Sequence, residues 1–261
     1  MGQVTSYPNG TFCWVDLGTP DVDRARSFYG ELFGWEMQEV AVPGSSPYVL
    51  CRVEGKDVAG IHEHREDGGG AWMSSVSVDD VDETTSRAQG LGATILREPF
   101  DVMGEGHEAV LRDPVGAVFS VWQPGSHIGA GLVNEVHTWG WNELSTADFD
   151  RARSFYTDLF GWSTEDAPGP MRRAGFAMGH LLIAGIHEAQ PQEGDESVWT
   201  VAFRVADADR SVARVKDLGG EVLLPPMPVP VGKFAIVADH SRAPFILTEA
   251  PGGALRGVDG S

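Results

Sequence analysis

The chain is poor in cysteine, in basic residues and in long apolar runs, and each shortage excludes something. Its 261 residues contain two cysteines, Cys13 and Cys51, both inside strand-like stretches. Two isolated thiols fit neither a disulfide framework nor a CxxC metal site, and they read as buried structural residues of a reduced compartment. Lysine and arginine together number 19 against 38 acidic residues, a formal charge of −19. Such a field repels the phosphate backbone and anionic headgroups, so neither nucleic acid nor a membrane surface is an expected partner. No run of about 18 apolar residues occurs, and MGQVTSYPNGTF has neither a basic nor an apolar signal region, so the expected location is cytoplasmic. No GxSxG, Cys–His arrangement, GxGxxG or GKS motif is present; MGEGH at 103–107 reads as a hairpin connection from which His107 could reach a cavity mouth. What remains is a composition with 42% apolar residues and 8 Trp, enough to build real cores.

One segment is written twice. TPDVDRARSFYGELFGW (19–35) and TADFDRARSFYTDLFGW (146–162) share 13 of 17 positions at an offset of 127. Each reads as a helix capped by Thr19 or Thr146 and closed by Gly34 or Gly161 in the left-handed conformation. Val22, Ala25, Phe28, Tyr29, Leu32 and Phe33 form one apolar stripe, which lays the helix on a sheet. The preceding GTFCWVDL alternates, with Cys13, Val15 and Leu17 on one face and Phe12, Trp14 and Asp16 on the other. Trp139, Trp141 and Glu143 match the second set 127 residues later. Three short strand-like runs follow the first helix, and a second strand–helix–strands unit follows at once. The pattern predicts an α+β chain of four βαβββ units in two domains, 1–125 (units 10–65 and 71–124) and 136–261, with a Gly-rich, polar linker at 126–135. PPMPVPVG at 225–232 reads as a stiff, Pro-rich connection matching the Gly-rich one of the first half, so the halves are not expected to be equivalent.

The four units, RARSFYGELFGW and RARSFYTDLFGW, the DPVGAVFSVWQP ending and WNELSTADFDRA together resemble the vicinal oxygen chelate superfamily, in particular its tandem glyoxalase/bleomycin-resistance-type members. The resemblance covers nearly the whole chain. It implies that paired units curl a mixed sheet into a cup with the helices outside, and that metal-dependent members carry His, Gln or Glu at inward strand positions. Those positions fall here on Trp14, Met73 and Ser120 in the first half and Thr200, Trp141 and Ile246 in the second. None is a good ligand for a divalent metal, so neither a metal nor another cofactor is expected, with Asp16, Glu143, Gln123 and Glu249 as the register-shifted alternatives.

Tryptophan at an inward position offers a flat wall for a planar ligand, or else simply fills the core. Asp16 and Glu143, two residues after each Trp, are candidate acid/base groups. So are His62 and His187 of the repeated AGIHE, although adjacent strand residues face opposite ways and these histidines read as strand-end residues. The leading expectation is metal-independent binding of a small aromatic or polycyclic molecule, and the resemblance implies antibiotic biosynthesis or self-protection. The alternatives are a vicinal-oxygen-chelate enzyme (lyase, dioxygenase or metal-free acid/base catalyst) and an interaction scaffold with filled cups. A homodimer is left open.

Overall fold

The computed structural model describes residues 2–64, 69–190, 194, 196–229 and 232–249. The first half contains β1 (Phe12–Thr19), α1 (Val22–Phe33), β2 (Glu36–Val40), β3 (Tyr48–Val53), β4 (Lys56–Glu63), β5 (Ala71–Ser77), α2 (Val81–Gly90), β6 (Thr94–Asp101), β7 (Gly106–Arg112) and β8 (Val118–Pro124). The second half repeats the order with β9 (Trp139–Thr146), α3 (Phe149–Phe160), β10 (Ser163–Asp166), β11 (Arg173–Met178), β12 (Leu181–Glu188), β13 (Val198–Val205), α4 (Ala208–Asp217), β14 (Glu221–Val229), β15 (Gly232–Ala238) and β16 (Pro244–Glu249).

The α+β reading in four βαβββ units holds. Each half is one mixed eight-stranded sheet, ordered β2-β3-β4-β1-β5-β8-β7-β6 and β10-β11-β12-β9-β13-β16-β15-β14. Within a unit the first strand runs parallel to the last, and the two units of a half join through their antiparallel first strands, β1 with β5 and β9 with β13.

Three local expectations change. The N-caps of α1 and α3 are Asp21 and Asp148, not Thr19 and Thr146: each carboxylate accepts from the amide three residues on, at Arg24 and Arg151, which a threonine two residues earlier cannot reach. Gly34 and Gly161 close these helices at φ 71° and 73°, as expected. PPMPV is not a connection but part of β14, which runs through Pro225, Pro226 and Pro228. An edge strand tolerates this because its outward amides have no partner to lose, and two register shifts mark the adjustment. Pro230 and Val231 of that stretch lie outside the described residues. The linker is a packed strap: Ala130 N donates to Cys13 O and Gly131 N to Asp57 O, both at 2.8 Å, and Ala130 is fully buried.

The repeated helix does more than cover its own sheet. Tyr29 stacks on Trp35 and meets Trp72 edge-on, but it also packs on Phe245 and donates to Asp239 Oδ2 of the other half. Tyr156 mirrors it, packing on Phe119 and donating to Asp113 Oδ2 at 2.8 Å. Between the two sheets Ser74 Oγ donates to Asn142 Oδ1 at 2.7 Å, deep in the core. The RARSFY repeat therefore cements the two halves into one body by burying aromatic area on both sides of each Tyr. Among the described residues no helix is long and apolar enough to cross a membrane.

Candidate functional site

Strand alternation gives each sheet a concave face opposite the helices. In the N-terminal cup that face carries Trp14, Asp16, His62, Met73 and Ser120, as their register pairs require: Asp16 lies beside Met73 and Gly60, Gly18 beside His62, and Ser75 between Trp14 and Ser120. The cup is closed by its own side chains. Trp14 Nε1 donates to the Tyr48 hydroxyl at 3.0 Å, and that hydroxyl lies where a β-carbon on Gly60 would stand, 1.7 Å away, so only glycine fits there. His127 of the strap packs edge-on against Trp14, with centroids 4.7 Å apart, while its carbonyl accepts from Trp122 Nε1. Ser120 donates to Ser75 Oγ at 2.6 Å beneath them.

Two carboxyls face this cup, one buried and one half-buried. Asp16 is 8% exposed and its Oδ1 has no hydrogen-bond partner. Burial raises its pKa from an ordinary 3.8 to about 7. Glu108 on β7 is also raised to about 7, first by burial and then by the charge of Asp16, with Ser120, His62 and Arg97 opposing. Burial lowers His62 and drives Tyr48 well up. Glu108 and Tyr48 are absent from the residues expected from sequence. Alternation in HEAVLRD was the available signal, because buried Ala109 and Leu111 force Glu108 to the opposite face.

The C-terminal cup is built on the same register but stays open. Trp141 Nε1 donates to Glu143 Oε2 at 2.9 Å, and Glu143 Oε1 meets His187 Nδ1 at 2.9 Å. A β-carbon on Gly185 would come within 1.9 Å of Glu143 Oε2, so glycine makes room for the carboxylate. Two of the expected acid/base candidates are thus brought together. His62 and His187 do stand near the ends of β4 and β12, but not on the surface: each is half-buried on the cup side, beside the first strand. Thr200 lies beside Glu143, and the row from Trp141 continues through Ala202, Ile246, Ile236 and Leu224. Gly175 and Ala202 stand where the first cup has Leu50 and Ser75, and Phe234 where it has Glu108. The side chains of Glu143 and His187 remain 25% and 13% exposed, and Leu182 at 49% and Met227 at 44% leave apolar surface open around them.

Three expected wall residues lie elsewhere. Phe12 packs against Trp162 and Trp199 of the other half, because a bulge at Cys13 turns it to the back of the sheet. A matching bulge at Gly140 pairs Trp139 with Phe203 of the core, where its indole donates to Trp141 O. His107 alternates outward from Glu108, and its ring sits 3.9 Å from Asp101 in solvent. Gln123 and Glu249 are also away from the cups: they accept from the first amides of α2 and α4, Val81 N and Ala208 N.

The comparisons agree with this architecture. Residues 13–122 match the model of a glyoxalase-like domain, and residues 137–247 match that of the Glyoxalase/Bleomycin resistance protein/Dioxygenase superfamily. The chain belongs to that superfamily, as a tandem member with one eight-stranded cup per half. It is 36% identical to CFP32 of Mycobacterium bovis, provisionally described as a glyoxylase, over 96% of this chain and 99% of that one. It is 34% identical to the anthracycline biosynthesis protein DauV of Streptomyces sp. strain C5, over 94% and 95%. Among solved structures, the Mn(II)-bound glyoxalase from Novosphingobium aromaticivorans superposes with TM-score 0.65 at 16% identity, over 92% of this chain and 82% of that one, a likeness of fold.

A metal of the kind held by that glyoxalase does not fit the residues here. Trp, Met and Ile supply no lone pair that suits a hard divalent ion; Asp16, Glu108 and His62 of the N-terminal cup are not grouped to hold an ion, and the C-terminal cup adds one carboxylate and one imidazole facing an apolar wall. Among the described residues no group of three or more His, Cys, Asp or Glu is arranged to hold a metal ion.

Proposed function

We propose that this protein binds a planar, hydroxylated aromatic metabolite in its C-terminal cup without using a metal. The observation that carries the reading is the chain Trp141–Glu143–His187 on an open concave face whose opposite wall is apolar. An apolar cup with one convergent polar anchor is the usual composition of a small-molecule site. The indole offers its face to a flat ring, stacking that contributes about 0.5–1.5 kcal/mol beyond area burial. The Glu143 carboxylate then accepts from a phenolic hydroxyl, while Trp141 and His187 hold its two oxygens in place. Likeness to an anthracycline biosynthesis protein supports a polycyclic ligand and a role in making, or protecting against, an aromatic natural product.

A second reading follows from the Glu143–His187 pair itself. A carboxylate on Nδ1 fixes the imidazole tautomer, which is the arrangement of a general base, so proton transfer on the bound ligand is within reach of the same groups.

Calorimetric titration with 2-naphthol, a minimal planar hydroxyaromatic, tests the first reading. Binding by the native protein that is lost in Trp141→Ala and weakened on the order of 10-fold in Glu143→Gln is expected. Absence of binding, or binding unchanged in Trp141→Ala, overturns it. Turnover of a natural ligand that vanishes in Glu143→Gln while binding persists would move the protein to the second reading.

A further inference from the structure

Among the described residues, the C-terminal cup ends at a buried cation with no carboxylate in ion-pair reach. Arg204 follows Thr200 and Ala202 on the concave side of β13 by strand alternation. It is 9% exposed in a protein of net charge −19, yet among the described residues no carboxylate lies within ion-pair distance of it. Its Nη1 donates to Asn134 O at 3.0 Å. Its stem crosses Gly140, where a β-carbon would come within 3.0 Å of Cγ, so the bulge glycine keeps the guanidinium in this position. A desolvated guanidinium with donors to spare, and no described acid to neutralise it, is a site for an oxygen anion from outside the chain.

Its distance from the hydroxyl anchor sets a length. Thr200 is the register partner of Glu143, and Arg204 lies four residues further along the same strand, which is roughly 13 Å at the rise of a β-strand. Between the two lies the row led by Trp141, Ala202 and Ile246. The polar ends and the apolar middle therefore select an elongated ligand.

We infer that Arg204 binds a carboxylate at the far end of a fused-ring aromatic acid whose hydroxyl rests on Glu143. This rests on the reading of the C-terminal cup given above and deepens it from a planar hydroxyaromatic to a hydroxy acid with its two groups at opposite ends. The first half has Ser77 at the equivalent place, so the specificity belongs to the second cup.

The test compares three probes by calorimetry: 2-naphthol, 6-hydroxy-2-naphthoic acid with its groups at opposite ends, and 3-hydroxy-2-naphthoic acid with them adjacent. The 6-hydroxy acid is expected to bind on the order of 10-fold tighter than 2-naphthol, and the 3-hydroxy acid not to share this gain. Arg204→Gln should erase the gain while leaving 2-naphthol affinity unchanged, which also shows the cup intact, and Arg204→Lys should restore part of it. If 2-naphthol binds through Trp141 but the 6-hydroxy acid gains nothing, or keeps its gain in Arg204→Gln, the assignment of Arg204 fails and the cup reading stands. If 2-naphthol does not bind at all, both fail. Should Arg204→Gln not fold, the native protein's ranking of the three probes and the partial gain in Arg204→Lys decide the matter.

Discussion

Replacing Asp16 by asparagine should make the protein more stable at pH 8 than at pH 5 relative to the native chain. Asp16 is almost fully buried, its Oδ1 is unpartnered, and burial holds its proton up to about pH 7 instead of an ordinary 3.8. Between those values the native state binds more protons than the unfolded state, so the Asp16 contribution falls as pH rises through this window and its penalty is complete above about 7. From pH 5 to pH 7 the unfolded carboxyl is ionised while the native one gives up its proton only toward the top of the window, which corresponds to roughly 2 kcal/mol. Asparagine does not titrate. Whatever its amide costs in this site is the same at every pH and cancels when the variant-minus-native difference is followed with pH, whereas Glu108 loses the part of its upward shift that the Asp16 charge causes, which widens the gap in the same direction. His62, whose pKa is lowered by burial, has the opposite dependence, favouring the native state as pH rises, and it is present in both proteins. Urea unfolding at pH 5, 6, 7 and 8, followed by tryptophan fluorescence, gives the differences directly. A gap growing by about 2–4 kcal/mol is expected. A gap that stays constant with pH would show that Asp16 is ionised in the native cup and that the closed-cup description is wrong.

Other consequences can be measured on the same material. Tyr156→Phe removes an O–H donor to Asp113 and the acceptor of Trp199 Nε1 at 2.7 Å, so it should cost roughly 2–3 kcal/mol in unfolding free energy. Tyr29→Phe, with longer bonds to Asp239 and from Trp72 at 3.2 and 3.0 Å, should cost less; no loss in either variant would contradict the inter-half role of these residues. Gly185→Ala should displace the Glu143 carboxylate, whose Oε2 lies 1.9 Å from the new β-carbon, and weaken 2-naphthol binding at least as much as Glu143→Gln in calorimetry. Cys13 and Cys51 are fully buried, and burial pushes both thiols far above their ordinary range. Both should therefore be silent to an aromatic disulfide reagent at pH 8 until the protein is unfolded, when two equivalents react.

Much of the fold is written locally. The 17-residue repeat, the alternating strands before it and the Gly34 and Gly161 closures are patterns of period 2 and 3.6 that a short segment carries by itself. The matched pairs Trp14 with Trp141 and Asp16 with Glu143 follow from the repeat alone, and both pairs do face a cup. Which cup is open does not. That difference arises from residues far apart in the chain: Tyr48 and His127 pack on Trp14 in the first cup, with Leu50 beside Gly60, while the second has Gly175 and Ala202 at the places of Leu50 and Ser75, and Leu182, which lies over Gly175, stays 49% exposed. Nor could spacing assign Phe12 and Trp139, since one extra residue in a strand reverses the face of everything beyond it. The joining of His187 to Glu143 is equally a product of register, because two strands 44 residues apart must pair before the side chains meet. The sequence by itself determined the units, their duplication and the candidate residue types. Only the tertiary structure decided which of them share a cup, because local periodicity fixes the direction of a side chain while strand pairing over long separations fixes its neighbours.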